Sequence, residues 1–146
     1  MPKIRDVWLH AHSMLRSARQ IINEGLRPLG LSSAEANILL HLFTHGQEMG
    51  QEQLVEQLDV SKPAVSRTLK ALESKGCIVR QRSPDDKRAY RIRLTDKALE
   101  IGPAIEQVYN YVYALAMRGI SQDELACFMT LFGQISENLA NEQMKE

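Results

Sequence analysis

Apolar residues recur at three- and four-residue spacing along most of the chain, which predicts a largely helical protein. The first such stripe predicts a helix from Ile4 to about Leu29. A second helix follows Ser32, where Ser-Ser-Ala-Glu is typical of a capping box, and it ends at His45-Gly46. Two more helices are expected near the other end. One runs from Thr95 to about Arg118, and the last begins after Ser121, where Ser-Gln-Asp-Glu is a second capping box.

The middle of the chain predicts two short helices joined by a tight turn. The first spans Gln51 to Leu58, and the second begins after Ser61 and stops at Gly76. Ser61 is a natural N-cap, and Pro63 in the first turn of the second helix needs no amide partner. Two helices joined in this way form a helix-turn-helix unit.

Beyond Gly76 the apolar spacing changes from 3.6 to 2, over residues 77–82 and again over 89–94. The turn residues 83–88 separate the two segments, so a β-hairpin with its arginines on the solvent side is expected. A hairpin directly after a helix-turn-helix unit is a wing. The predicted fold class is therefore mostly α (α+β), a winged helix-turn-helix with long N- and C-terminal helices.

Charge is strongly segregated although the chain has 18 basic and 18 acidic residues in total. Residues 61–95 hold 10 Lys and Arg but only 3 Asp and Glu. A basic block this local is typical of a surface that meets a polyanion, with a merely solvated basic face as the alternative.

The second short helix buries Val65, Leu69 and Leu72, so its outward face is fixed. That face is basic and hydroxylated and carries no acid, as a helix that contacts base edges and phosphates requires. The candidate DNA-binding residues here are Ser61, Lys62, Pro63, Ser66, Arg67 and Lys70. The wing adds Lys87 and Arg88 at its tip and Arg91 on its return strand, where they could contact a flanking minor groove.

Three segments around the hairpin carry a resemblance to a known family. Leu-Glu-Ser-Lys-Gly at 72–76, Asp-Lys-Arg at 86–88 and Leu-Thr at 94–95 resemble the wing region of MarR-family transcription regulators. The resemblance implies an obligate homodimer with interlocked N- and C-terminal helices. It also implies that Arg88 enters the minor groove and that Asp86 orients the wing arginine. Gln51 departs from the family's usual Ser or Thr cap.

Dimerisation is also expected from the apolar stripes at both chain ends, which a single winged domain cannot cover. Residues 1–30 and 96–146 would form the dimerisation helices and 31–95 the DNA-binding domain, within one intertwined domain. The expected partners are a second copy of the chain and double-stranded DNA with a pseudo-palindromic operator.

Enzymatic motifs are not found in the sequence: there is no P-loop, dinucleotide glycine fingerprint, G-x-S-x-G or H-E-x-x-H. We expect no enzyme activity, no cofactor and no metal. His41 and His45 are four residues apart and could supply two metal ligands, with a structural role as the alternative. Two cysteines are too few for a disulfide framework, and no apolar run predicts a membrane span or a signal peptide, so a cytoplasmic protein is expected.

His12 and Arg16 form a polar stripe beside the apolar stripe of the first helix. An arginine at the edge of an apolar cleft would suit a small aromatic acid, with inter-subunit ion pairs as the alternative. The sequence thus predicts a homodimeric, sequence-specific transcription regulator, a repressor released by a small-molecule effector. The alternative is a winged-helix interaction or dimerisation module that binds no DNA.

Overall fold

The computed structural model describes residues 1–85 and 89–144, which contain helices and three short strands. In chain order these are α1 Ile4–Leu26, α2 Ser33–Thr44, β1 Glu48–Gly50, α3 Gln51–Leu58, α4 Lys62–Ser74, β2 Ile78–Arg82, β3 Tyr90–Leu94, α5 Asp96–Ala116 and α6 Gln122–Gln143. None of the helices in the described residues is long and apolar enough to cross a lipid bilayer.

The first helix is shorter than its apolar stripe predicts. Its α-helical part stops at Leu26, and Arg27–Leu29 continue as one 3₁₀ turn. Pro28 explains the change, because proline has no amide hydrogen to donate and its ring clashes with the preceding turn. Gly30 then ends the segment with a left-handed φ of 70°, a conformation that glycine adopts without strain.

Both predicted capping boxes are present. The Ser32 hydroxyl accepts from the Glu35 amide at 3.2 Å, and the Glu35 carboxylate accepts from the Ser32 amide at 2.8 Å. Ser121 and Glu124 repeat the arrangement at the start of α6, at 3.1 and 2.8 Å. These hydrogen bonds satisfy amides at the helix start that have no intrahelical partner.

The chain divides into two compact units, Met1–Val112 and Tyr113–Glu146. The first contains a continuous apolar core to which α1, α2, α3, α4, β3 and α5 all contribute; its fully buried side chains include Leu26, Leu39, Leu54, Leu69, Ile92 and Ile105. The second unit contains α6, which buries no residue in the isolated chain. The apolar side chains of α6 therefore remain available for contacts with another molecule.

The predicted hairpin belongs to a three-stranded antiparallel sheet of order β1-β3-β2. The strand β1 was not predicted. It pairs Met49 with Ile92, and this pairing places the Met49 side chain in the core. Three residues are too few to show an alternating pattern, so only the pairing with β3 identifies them as a strand.

The close approach of α1 and α5 depends on Gly25. A Cβ at this position would lie 2.7 Å from Val108 Cγ1 and 3.5 Å from Val108 Cβ. Valine is stiff at χ1 and has little room to move aside. We expect Gly25→Ala to lower the free energy of unfolding. Overpacking destabilises the fold by about 1–3 kcal/mol, whereas the higher helix propensity of alanine stabilises it by at most about 1 kcal/mol.

Urea unfolding followed by circular dichroism measures the effect of Gly25→Ala. Adding Gly25→Ala to a Val108→Ala background should cost much less than it does in the wild type, because the clashing methyl groups are gone. Equal costs in both backgrounds would show that Val108 does not set the helix separation.

Candidate nucleic-acid interface

The helix α4 begins as the sequence predicts. The Ser61 hydroxyl accepts a hydrogen bond from the Ala64 amide at 3.3 Å, and Pro63 lies in the first turn. Val65, Leu69 and Leu72 are buried, which fixes the orientation of the helix about its axis. The face that does not pack against the core is therefore held in one direction.

The outward face of α4 presents cations to the solvent. Arg67 and Lys70 are exposed, and neither has an ion-pair partner among residues 1–85 and 89–144. Ser66 beside them is half-buried, whereas Ser61 and Pro63 at the helix start are exposed. Two uncommitted cations one helical turn apart can meet a polyanion without first giving up an internal partner.

Lys62 differs from these two cations because it already has an acidic neighbour. Its Nζ lies 2.8 Å from Glu52 Oε1 of α3, and both side chains are exposed. An exposed ion pair contributes less than about 1 kcal/mol, so a phosphate can compete with Glu52 for the lysine. The same holds for Arg91, whose Nε donates to Glu48 Oε1 of β1 at 2.7 Å.

The hairpin register separates its arginines between two faces. In the strand register, Arg80 lies opposite Ile92 and Arg82 lies opposite Tyr90, so both arginines share the face of Ile92. Arg91 lies opposite Gln81, on the other face of the sheet. The wing-tip residues of the predicted site, Asp86, Lys87 and Arg88, lie outside the described residues.

The prediction that the hairpin arginines lie on the solvent side is wrong for Arg80. Its side chain is only 16% exposed. The guanidinium lies 5.0 Å from the centre of the Tyr90 ring, Nη1 donates to Gln51 Oε1 at 3.5 Å, and Nε is 3.8 Å from Glu73 Oε2. An aromatic face and polar partners from α3 and α4 together make this burial tolerable.

The two cysteines have different surroundings. Cys77 is buried, and burial raises the pKa of its thiol despite the nearby Lys97, so it remains protonated and unreactive at neutral pH. Cys127 is exposed on α6 in the isolated chain.

The paired histidines are engaged in local contacts. His41 Nε2 is 2.6 Å from Gln57 Oε1, and the His41 and His45 rings stack with centroids 4.1 Å apart. Within residues 1–85 and 89–144, no three His, Cys, Asp or Glu side chains are grouped to hold a metal ion. The His41 ring is thus held by Gln57 and by the ring of His45.

The two predicted effector residues, His12 and Arg16, are both exposed on α1. An open groove in the first unit lies elsewhere, and its lining includes Gln47, Val79 and Arg93. The DNA-binding candidates that the structure describes thus lie on α4, at its start and on β3, whereas His12 and Arg16 do not reach that groove in the single chain.

Residues 29–89, which include α2, α3, α4 and the first strand of the hairpin, match the model of the MarR family. Over this segment the chain is similar to proteins of the MarR family. The predicted fold, a mostly helical winged helix-turn-helix, is confirmed by this match and by solved structures. A MarR transcriptional regulator from Methanosarcina mazei Go1 superposes with a TM-score of 0.81 at 20% identity, over 93% of this chain and 98% of the other.

Two other MarR-fold structures were solved with a bound molecule. A cysteine-to-serine mutant of MarR from E. coli, complexed with operator DNA, has a TM-score of 0.81 at 24% identity, over 90% of this chain and 94% of the other. An organohalide-sensing transcriptional regulator in its 2,4-dichlorophenol-bound form has a TM-score of 0.84 at 22% identity, over 94% and 82% of the two chains. At these identities the likeness concerns the fold.

Proposed function

We propose that this MarR-family chain is a cytoplasmic, homodimeric transcription regulator that binds double-stranded DNA in a sequence-specific manner. The observation that carries the proposal is the outward face of α4, where Arg67 and Lys70 are exposed, have no ion-pair partner in the described part of the chain and share their face of the helix with no acid. A protein of the same fold has been solved with operator DNA, which supports this choice of polyanion.

Each group of residues has a distinct role in the proposed complex. Arg67 and Lys70 on α4 contact base edges and phosphates in the major groove, with Ser66 able to bond to either. The start of the helix, at Ser61, Lys62 and Pro63, faces the phosphate backbone, where the helix dipole and the Lys62 ammonium favour an anion. The wing residues Lys87, Arg88 and Arg91 are proposed to extend the contact into the flanking minor groove, with Asp86 orienting Arg88.

Dimer formation is supported by exposed apolar side chains at both ends of the chain. Those of α1 include Ile4, Trp8 and Leu15, with exposed fractions of 48%, 53% and 57%. The helix α6 exposes Phe128, Met129, Phe132 and Leu139. Apolar surface on this scale marks an interaction site, and we assign residues 1–30 and 96–146 to dimerisation and 31–95 to DNA binding.

We further propose that the regulator is a repressor released by a small aromatic acid. A dimer seated on an operator blocks access to that DNA, which favours repression. A likeness in fold to a phenol-bound regulator supports an aromatic ligand. His12 and Arg16 would recognise its acidic group once a second subunit closes the cleft beside α1.

Alanine substitution on α4 tests the proposal. A high-affinity site selected from random duplex DNA should bind the wild type, and Arg67→Ala should weaken binding by roughly 1–3 kcal/mol. Lys70→Ala should weaken it less and reduce the salt dependence of the affinity, with a slope change of about 0.9 for each phosphate that is no longer neutralised. Fluorescence anisotropy over a range of salt concentrations measures both quantities.

The matched control is Arg27→Ala, which removes an exposed arginine from the turn between α1 and α2. It should leave both affinity and salt dependence unchanged. If the wild type dimerises but selects no sequence from random duplex DNA, the result would favour the alternative, a winged-helix interaction module without DNA binding.

A further inference from the structure

The C-terminal end of α4 is tied to the start of α5 by two hydrogen bonds. Carbonyl groups at the end of a helix have no intrahelical partner and must be satisfied from elsewhere. Here the Lys75 carbonyl accepts from Lys97 Nζ at 2.6 Å, and the Gly76 carbonyl accepts from the Thr95 hydroxyl at 2.6 Å. Both donors lie where the chain leaves the wing and enters α5.

The side chain of Lys75 connects the same end of α4 to the corner between α1 and α2. Its Nζ donates to the Gly30 carbonyl and to Glu35 Oε1, each at 2.8 Å. Glu35 Oε1 also accepts from the Ser32 amide at 2.8 Å, so the capping box and the ion pair share one oxygen. One lysine thus bridges three segments that are far apart in the sequence.

Glu35 is only 5% exposed, and it is the one charged residue in the buried set of the described chain. Burial acts to raise the pKa of its carboxyl group, but the hydrogen bonds from Lys75 and Ser32 outweigh it, so the pKa is lower than usual. The group is therefore ionised at neutral pH. Lys75 is 41% exposed, so the ion pair is only half-buried and adds little net stability, but it fixes distance and direction, which apolar contacts do not.

We propose that Lys75, Glu35 and Lys97 form a positioning clamp that sets α4 relative to α1 and α5. The clamp rests on the proposed function, in which α4 reads DNA and α1 and α5 belong to the dimerisation segments. The clamp is a polar connection between the dimerisation helices and α4. Through it, the dimer sets the position of each α4 helix relative to the DNA half-site. These three residues act through α4, without contacting the DNA themselves.

The first test uses operator affinity and its salt dependence. Lys97→Met and Glu35→Gln, both checked as folded by circular dichroism, should weaken binding by about 2- to 30-fold, the range expected for residues that transmit coupling between sites. Lys75→Met leaves the Glu35 carboxylate without its ion-pair partner. If this variant folds, it should weaken operator binding to the same extent. The slope of log affinity against log salt should stay at the wild-type value for all three variants, since every phosphate keeps its cation.

Lys70→Ala is the matched control, because it should lower that slope. Wild-type affinity in Lys97→Met and Glu35→Gln would overturn the clamp. A slope that falls by about 0.9 per site in Lys75→Met or Lys97→Met would also overturn it, because the lysine would then bind a phosphate directly.

The second test needs no DNA. The amides of Lys75, Gly76 and Cys77 donate to carbonyls of the last turn of α4 at 2.9–3.0 Å. In Lys97→Met and Glu35→Gln these amides should exchange with deuterium several-fold faster than in the wild type, whereas Lys70→Ala should leave them unchanged. Unchanged exchange in these variants would overturn the clamp, whether or not the wild type binds DNA. Failure of the wild type to bind DNA would refute only the proposed function.

Discussion

Phe132→Glu should convert the protein from a dimer to a monomer and abolish operator binding. Phe132 lies on the apolar stripe of α6 and is 39% exposed in the isolated chain, with its ring stacked on Phe128 at a centroid distance of 5.6 Å. In a symmetric dimer the substitution places two carboxylates in the interface. Burying an unpaired charge costs about 3–5 kcal/mol, and each 1.4 kcal/mol is a tenfold change in the dissociation constant.

Sedimentation velocity measures the dimer, and an electrophoretic shift with a selected duplex measures DNA binding. A monomer holds only one half-site, so affinity should fall by at least a hundredfold. The matched control is Gln134→Glu, which adds the same charge on the opposite side of α6, where Gln134 hydrogen-bonds Asn138 at 3.0 Å. A Phe132→Glu protein that remains dimeric and binds the operator normally would exclude α6 from the dimer interface.

The helices were predictable because their signals are local. The capping box of Ser32 and Glu35 lies within four residues, and so does that of Ser121 and Glu124. Helix α3 has the predicted bounds, Gln51–Leu58, since its buried Leu54 follows the helical spacing. The α-helical part of α1 ends three residues earlier than predicted, and the cause, Pro28, is also local.

The features that escaped prediction depend on residues far apart in the sequence. The ion pair between Glu35 and Lys75 spans 40 residues, and nothing near either residue indicates the other. The strand β1 is defined only by its pairing with β3. Arg80 is different, because the alternation of the hairpin places it on the same face as Ile78, and the register pairs it with Ile92. Its charge favoured the solvent side, but the Tyr90 ring and Gln51 compensate for its burial.

Operator binding should be steeply dependent on salt. Lys62, Lys70, Lys87 and Arg91 are the proposed phosphate contacts, and a two-fold axis doubles them. Between 50 and 200 mM salt, a protein with 6–10 phosphate contacts loses about 10³- to 10⁵-fold in affinity. The ion pairs of Lys62 with Glu52 and of Arg91 with Glu48 place acids beside two of these cations. Glu52→Gln and Glu48→Gln should therefore tighten binding at low salt.

The same symmetry fixes the geometry of the site. Two identical α4 helices related by a two-fold axis must meet half-sites of inverted sequence. Insertion from one side of the duplex requires half-site centres about one helical turn apart, roughly 34–36 Å or 10 base pairs. Hydroxyl-radical footprinting on a selected duplex should show a pseudo-palindrome, with wing protection outside each major-groove contact. Because one subunit alone cannot impose inverted symmetry, protection of a single asymmetric half-site would contradict binding by the dimer. An affinity that does not change with salt concentration would mean that the cations of α4 and the wing bind a partner other than DNA.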